Sequence, residues 1–363
     1  MAKTTIPTDP DQRFKEFIEK SDALEGQKIT AAIPREYLQP SVARGFAGLV
    51  VSLAVYVGAI VAIAAVDQWY LIPPLLVVAG LGGWGLHCIA HECGHGSFSR
   101  NRRLNFAVGQ FALLHLLYPF HAWRHVHNLH HAHTNSLELD TDWAPIPEAV
   151  YRRMAVKDRL IYISVRTWAV WGGTIHHWLD SGLRPSYFPK KEMRRDARRS
   201  IVVVAVVGGG YLATLTYFTG WQGLLLYFVG PWFATHVWFS ITTLMHHSAE
   251  DIPYLSTDHW TKNASRLLVT TDFMYPKWLL FLTHNISVHT AHHVSPAVPF
   301  YHLPKAQASL MQAYPEMMRV EKASISRFWN ILRNCRFYDP VSGLYSTSPM
   351  RRVDSVEKEM EPA

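Results

Sequence analysis

The sequence predicts an all-α integral membrane protein, with four transmembrane helices in two hairpins and a cytoplasmic helical cap that carries the chemistry. Three observations predict it. First, the hydrophobic residues, 49% of 363, gather in long blocks instead of spreading as a soluble core would. Residues 45–66, 68–90, 201–219 and 221–245 contain no Asp, Glu, Lys or Arg. Each reaches or approaches the ~20 residues that span the ~30 Å hydrocarbon layer. Second, the blocks pair, because only Asp67 separates the first two and only Gly220 the last two. Two tight hairpins put the N-terminus, the middle segment and the C-terminus on one side. Third, that side is basic: Arg35 and Arg44 precede the first span, KKEMRRDARR (190–199) precedes the third, and neither turn holds a Lys or Arg. The positive-inside rule makes it cytoplasmic.

The elements follow in order. Residues 1–43 form a cytoplasmic segment, and a first span that begins so late is a retained anchor, not a cleaved signal. Residues 44–345 form one membrane domain, and 346–363 a flexible tail. The apolar stretch 104–120 lies between two histidine clusters that must face one compartment. It is therefore a re-entrant or membrane-embedded hairpin, with Gly109, Gln110 and His115 inside protein. Over 152–171, Val156, Leu160 and Ile163 recur at helical spacing among Arg152, Arg153, Lys157 and Arg159, the pattern of an interfacial amphipathic helix. The net charge of +7 suits this topology and anionic headgroups without nucleic acid. Cys88, Cys93 and Cys335, on the cytoplasmic side or at its border, are expected as reduced thiols.

The chain holds 21 histidines, and eight of them form three clusters. HECGH supplies His91 and His95, HNLHH supplies His127, His130 and His131, and HTAHH supplies His289, His292 and His293. Residues at i, i+3 and i+4 share a helix face, so each cluster aims its rings at one point. Neutral imidazole is the commonest metal ligand, and eight rings suit two ions. His246, at the end of the fourth span, is the candidate ninth ligand. His284 competes with it and is read as orienting a ligand or water. His87, His125, His133, His247 and His302 are read as supporting or surface histidines. His236, ten residues before His246, is about 15 Å away along a helix and is expected to bond a neighbouring helix or line a cavity.

Imidazoles alone do not select the metal. HECGH also matches H-E-x-x-H, in which two His hold zinc and Glu92 would be a general base. An intramembrane zinc protease, however, would leave six clustered histidines unused. Metal transporters place their ligands near the bilayer midplane, whereas these clusters sit at its border.

The spacing HxxxH, HxxHH, HxxHH after hydrophobic hairpins resembles the membrane fatty acid desaturase family over most of residues 45–340. WRHVHNLHH, TNSLELDTDWAP and HNISVHTAHHVSPAVPFYHLPKA are similar to the corresponding segments of the omega-type (delta-12/omega-6 or omega-3) acyl desaturases. His133 and Asn135 depart from that pattern, which usually has Asn and Gly there. The resemblance implies a di-iron centre (two Fe ions) held by the eight box histidines with His246. It also implies a long-chain acyl substrate, and O2 as co-substrate reduced to water while two adjacent methylenes become a C=C bond. Asp140, Asn285, His284 and Glu92 are the candidates for residues behind the ligands. Hydroxylases, acetylenases and carotenoid oxygenases share the framework and remain alternatives. The chain has no iron–sulfur cysteine set and no appended haem domain. An external electron donor, a ferredoxin or cytochrome b5, is therefore implied, and a bacterial inner membrane is the expected location.

Overall fold

The computed structural model describes residues 10–340 and 342–346; the tail from 347 onward and residues 1–9 lie outside the described residues. The chain is mostly helical. Three helical stretches are long and apolar enough to cross a membrane: Val42–Ala65, Trp69–His95 and Lys191–His247. The first is α1 (Val42–Ala65), capped by the Ser41 hydroxyl accepting from the Arg44 amide. A short 3-10 turn, Trp69–Leu71, leads into α2 (Ile72–His95), which starts on a proline pair and ends at Gly96 in the left-handed conformation (φ 76°). Proline at the start and glycine at the end of a helix follow from the missing N–H of one and the missing Cβ of the other.

The third stretch is 57 residues long, which as one straight helix would measure about 85 Å. It comprises α6 (Lys191–Val203), α7 (Gly209–Leu224) and α8 (Gly230–His247), joined by π-helical turns. Gly220 breaks it with φ 67° and ψ −172°. Tyr211 and Phe228, 17 positions apart, meet with ring centroids 6.1 Å apart, so the chain doubles back there.

Helix α2 sits between α1 and α8, and its glycines make that packing possible. A Cβ on Gly82 would lie 2.5 Å from the Tyr56 nitrogen, and one on Gly80 2.7 Å from the Ala234 backbone. Small residues at both contacts let backbones approach closely, as membrane helix pairs favour. The sequence LGGWG thus fixes the depth and rotation of the helix that carries HECGH.

The stretch between the first two clusters folds as α3 (Arg102–Ala112) and a 3-10 turn, Leu114–Leu116, before α4 (Phe120–His133). Leu117 turns the chain with φ 52°. The buried Gln110 amide closes the turn, donating to the Tyr118 carbonyl (3.2 Å) and accepting from the Phe120 amide (3.1 Å). Residues 152–171 divide into a short helix, Glu148–Arg153, and α5 (Val156–Thr167), with Val156, Leu160 and Trp168 exposed. The expectation of a purely helical chain needs correction. Strand β1 (Thr271–Met274) pairs in parallel with β2 (Arg319–Lys322), and a second two-stranded pair joins Phe337–Tyr338 to Tyr345–Ser346. Helix α9 (His289–Val294) follows β1 and carries HTAHH. The three cysteines are buried and free.

Candidate metal centre

Four segments deliver the imidazoles: the end of α2, the face of α4, the end of α8, and α9. Two groups form. His91, His95, His127, His131 and His292 place one nitrogen each within 4.8 Å of one another, and so do His130, His247 and His293. Nε2 of His131 lies 3.1 Å from that of His127 and 3.0 Å from that of His292. In the second group, Nε2 of His247 lies 3.2 Å from that of His130 and 2.9 Å from that of His289, and His289 stands 3.1 Å from His293. His289 thus bridges to the three-residue group. His246 lies alongside, its ring 4.2 Å from that of His289.

The ring tautomers show what this arrangement can hold. A carbonyl or carboxylate only accepts, so a ring nitrogen bonded to one carries the proton. His130 Nδ1 donates to Asp140 (2.7 Å), His246 Nδ1 to the Thr271 carbonyl (2.8 Å) and His289 Nδ1 to the Ile286 carbonyl (3.2 Å). When these rings are neutral, their Nε2 atoms are bare lone pairs. Bare nitrogens about 3 Å apart repel unless a cation lies among them. Burial reinforces neutrality. It pushes His127, His131, His289, His292 and His293 well below the ordinary imidazole range, and neighbouring imidazoles add to the effect. His130 is the exception: burial opposes its charge, but the Asp140 carboxylate outweighs burial and raises it. Two groups of inward-facing imidazoles, all but His130 favoured as neutral rings, fit two first-row metal ions.

The candidates behind the ligands divide. Asp140, with no exposed side-chain surface, is held by the amides of Asn135 (2.7 Å) and Asp142 (3.0 Å) and fixes His130. Glu92, Asn285 and His284 are placed differently from the expectation. Glu92 accepts from the Phe300 amide (3.0 Å), and the Asn285 side chain donates to the Phe300 carbonyl (3.1 Å). Together they clamp the loop after α9. His284 bonds the Ser52 hydroxyl of α1 (2.7 Å). Glu92 and His284 tie the third cluster's surroundings to the first two helices, Asn285 closes the loop after it, and none of the three is bonded to a ligand ring.

Sequence reasoning missed three residues. His247 was read as supporting, yet it lies within the three-residue group. Asp272 accepts from the amides of His289 (2.5 Å) and Thr290 (2.8 Å) and so starts α9. Thr134, after HNLHH, lies 3.2 Å from His293 Nδ1. The doublet HH at 246–247 was the only available signal for the first. His236, as expected, bonds a neighbouring segment, with Nδ1 2.9 Å from the Thr174 hydroxyl.

A cavity of about 550 Å3 opens beside the second group. Trp84, Trp123, Phe239, Ile161 and Val165 give it apolar walls, and His130, His246, His247 and His289 line it as well. That volume lies within the roughly 300–1,000 Å3 of small-molecule sites.

Membrane helices, a buried all-imidazole metal centre and an adjoining apolar cavity define a membrane metalloenzyme for a hydrocarbon substrate. The chain belongs to the fatty acid desaturase family, whose pattern matches residues 67–321. It is 33% identical over 323 residues to the sn-1 oleoyl-lipid 12-desaturase of Picosynechococcus sp., covering 89% of this chain and 92% of that one. The sn-1 oleoyl-lipid 12-desaturase of Synechocystis sp. is 30% identical, covering 97% and 98%. The chloroplastic omega-6 fatty acid desaturase of Spinacia oleracea is 31% identical, covering 92% and 76%. The protein is thus an oxidoreductase that introduces a double bond into acyl chains in a lipid environment. The zinc-protease reading of HECGH and the metal-transporter reading are not favoured, because all three histidine clusters converge on one centre.

Proposed function

We propose that the chain is a di-iron acyl-lipid desaturase that adds a second double bond, at position 12, to an oleoyl chain carried on a membrane glycerolipid. The relatives named for that reaction match nearly the whole chain. The observation that carries the metal assignment is the convergence of two imidazole groups from four distant segments. His91, His95, His127, His131 and His292 would hold one iron, and His130, His247, His289 and His293, with His246 beside them, the other. The irons would supply the oxidising power, drawn from O2 and two external electrons, that removal of hydrogen from unactivated methylenes requires.

The chain's own residues do the rest. Asp140, Thr271 and the Ile286 carbonyl hold three rings in the tautomer that presents Nε2, the supporting contact that metal-binding histidines use. Trp84, Trp123 and Phe239 keep water from the cavity and confine the acyl chain, so that two chosen methylenes stay beside the centre. A ferredoxin or cytochrome b5 type protein is the electron donor. The break at Gly220 and the Tyr211–Phe228 contact support two crossings within Lys191–His247, hence four in all. The basic flanks at Arg35, Arg44 and 190–199 support cytoplasmic termini in a bacterial inner membrane.

The test joins metal analysis of the purified protein to fatty acid profiling of a host that supplies oleoyl lipid. Two irons per chain and a new 12-position double bond are expected. One zinc, or a double bond added only to a saturated chain, would overturn the proposal.

A further inference from the structure

We infer that Trp143 is the wall that sets which methylenes of the acyl chain meet the metal centre, and that Gly173 and Arg166 hold it in place. The inference rests on the reading that the cavity receives the acyl chain. Trp143 lines that cavity. Its backbone lies in the left-handed region (φ 46°), which is uncommon for a residue without glycine's freedom and marks a place where surroundings impose the conformation.

Those surroundings are on every side. The indole N–H donates to the Thr243 hydroxyl (2.9 Å). The buried Arg166 donates to the Trp143 carbonyl and to that of Cys335, and its guanidinium lies 5.7 Å from the indole centre. Gly173 lies against the ring: a Cβ there would come 2.9 Å from Cζ2 and closer still to Cη2. A buried arginine is costly, and here one of its two backbone-carbonyl bonds fixes Trp143 while its guanidinium also lies 5.6 Å from the Tyr162 ring centre.

The anchors also tie the ring to the metal centre. Thr243 precedes His246 and His247 by one turn of α8, about 5.4 Å of rise. Asp140, which fixes His130, precedes Trp143 by three residues. The indole is thus held at a fixed distance from the second imidazole group by two independent routes. A flat, rigid ring so placed defines how far a flexible chain can slide past the centre. Position along the chain is the one variable on which regioselectivity depends.

The test compares full-length wild type, W143F and G173A in one host, with double-bond positions read by mass spectrometry of derivatised fatty acids and metal content measured on the purified proteins. G173A leaves the indole chemically intact but displaces it; W143F keeps an aromatic wall of smaller size. Both are expected to retain metal and to raise the share of displaced double-bond isomers at least ten-fold. A role in folding alone would lower the yield of one isomer without changing the ratio. If whichever variant accumulates makes only the wild-type isomer, the inference is overturned. A wild-type double bond elsewhere than position 12 would overturn the proposed position, while the shift between wild type and variant would still decide the role of Trp143.

Discussion

The five imidazoles around His95 and the three around His130 use the same side chain but differ in what stands behind it. In the five-residue group three rings are only half-buried, and His91, His131 and His292 have outer nitrogens with no protein partner among the described residues. In the three-residue group every ring is buried, His130 is bonded to Asp140 and His293 lies against Thr134, while His247 Nδ1 has no protein partner among the described residues. The bridging His289 is held by the Ile286 carbonyl, and its helix is started by Asp272. Two of the three rings in that group are oriented by the protein before a metal arrives. The other group has more ligands but less to fix them. Number and preorganisation are alternative ways to hold an ion, and this centre uses one on each side.

His130→Ala breaks the preorganised side outright. It removes a ligand and leaves the Asp140 carboxylate buried without its ring, a costly arrangement. Product formation is expected to fall to background, with metal content dropping from two toward one per chain and membrane insertion unchanged. Fatty acid profiles and metal analysis of the purified variant check this. Retained activity would remove His130 from the centre.

Asp140→Asn sharpens the comparison, since it keeps the shape and removes the charge. Loss of such a supporting contact typically costs about 10–100-fold in metal affinity or activity. Timed chelation of the wild type should be biphasic, the five-residue group emptying first. In the variant the slow phase should accelerate toward the fast one. A slow phase left unchanged would show that Asp140 does not distinguish the two groups.

The legible part of this site was its local part. HxxxH and HxxHH announce themselves because a helix converts sequence spacing directly into a shared face. What lay beyond helical spacing was harder to read. Whether His246 or His247 enters the three-residue group depends on where α8 ends, and no spacing rule fixes that. Asp272 and Thr271 sit in a four-residue strand whose partner, Arg319–Lys322, is nearly 50 residues away, so nothing nearby marks TDFM as structural. Glu92, Asn285 and His284 misled for the opposite reason. They neighbour the clusters in sequence, but their side chains reach Phe300 and Ser52. Charge-free blocks marked the long apolar helices, and Gly220, read from the sequence as the turn between the last two blocks, is where the backbone leaves helical geometry within the 57-residue stretch.

The smallest expected effect is in the pH dependence of the metal-free protein, where the two groups oppose each other. His127, His131 and His292 of the first group, with His289 and His293, have folded values well below the ordinary 6.5. Below pH 6.5 the unfolded chain takes up protons that these buried rings refuse, so their contribution is present above that pH and is lost as pH falls. His130 is raised, so its contribution is complete below 6.5 and is lost as pH rises through its folded value. Five rings outweigh one. Each net proton taken up on unfolding costs about 1.4 kcal/mol per pH unit, and a kcal/mol moves the midpoint of a large domain by about 2–4 °C. The apparent unfolding midpoint of chelator-treated protein should therefore fall by about 10 °C or more between pH 7 and pH 5.5. His130→Ala should steepen that fall, because it removes the one ring that acid favours. A midpoint that is flat or rising toward acid would mean that the clustered imidazoles are charged when empty, contrary to the neutral, inward-facing arrangement that distinguishes this centre.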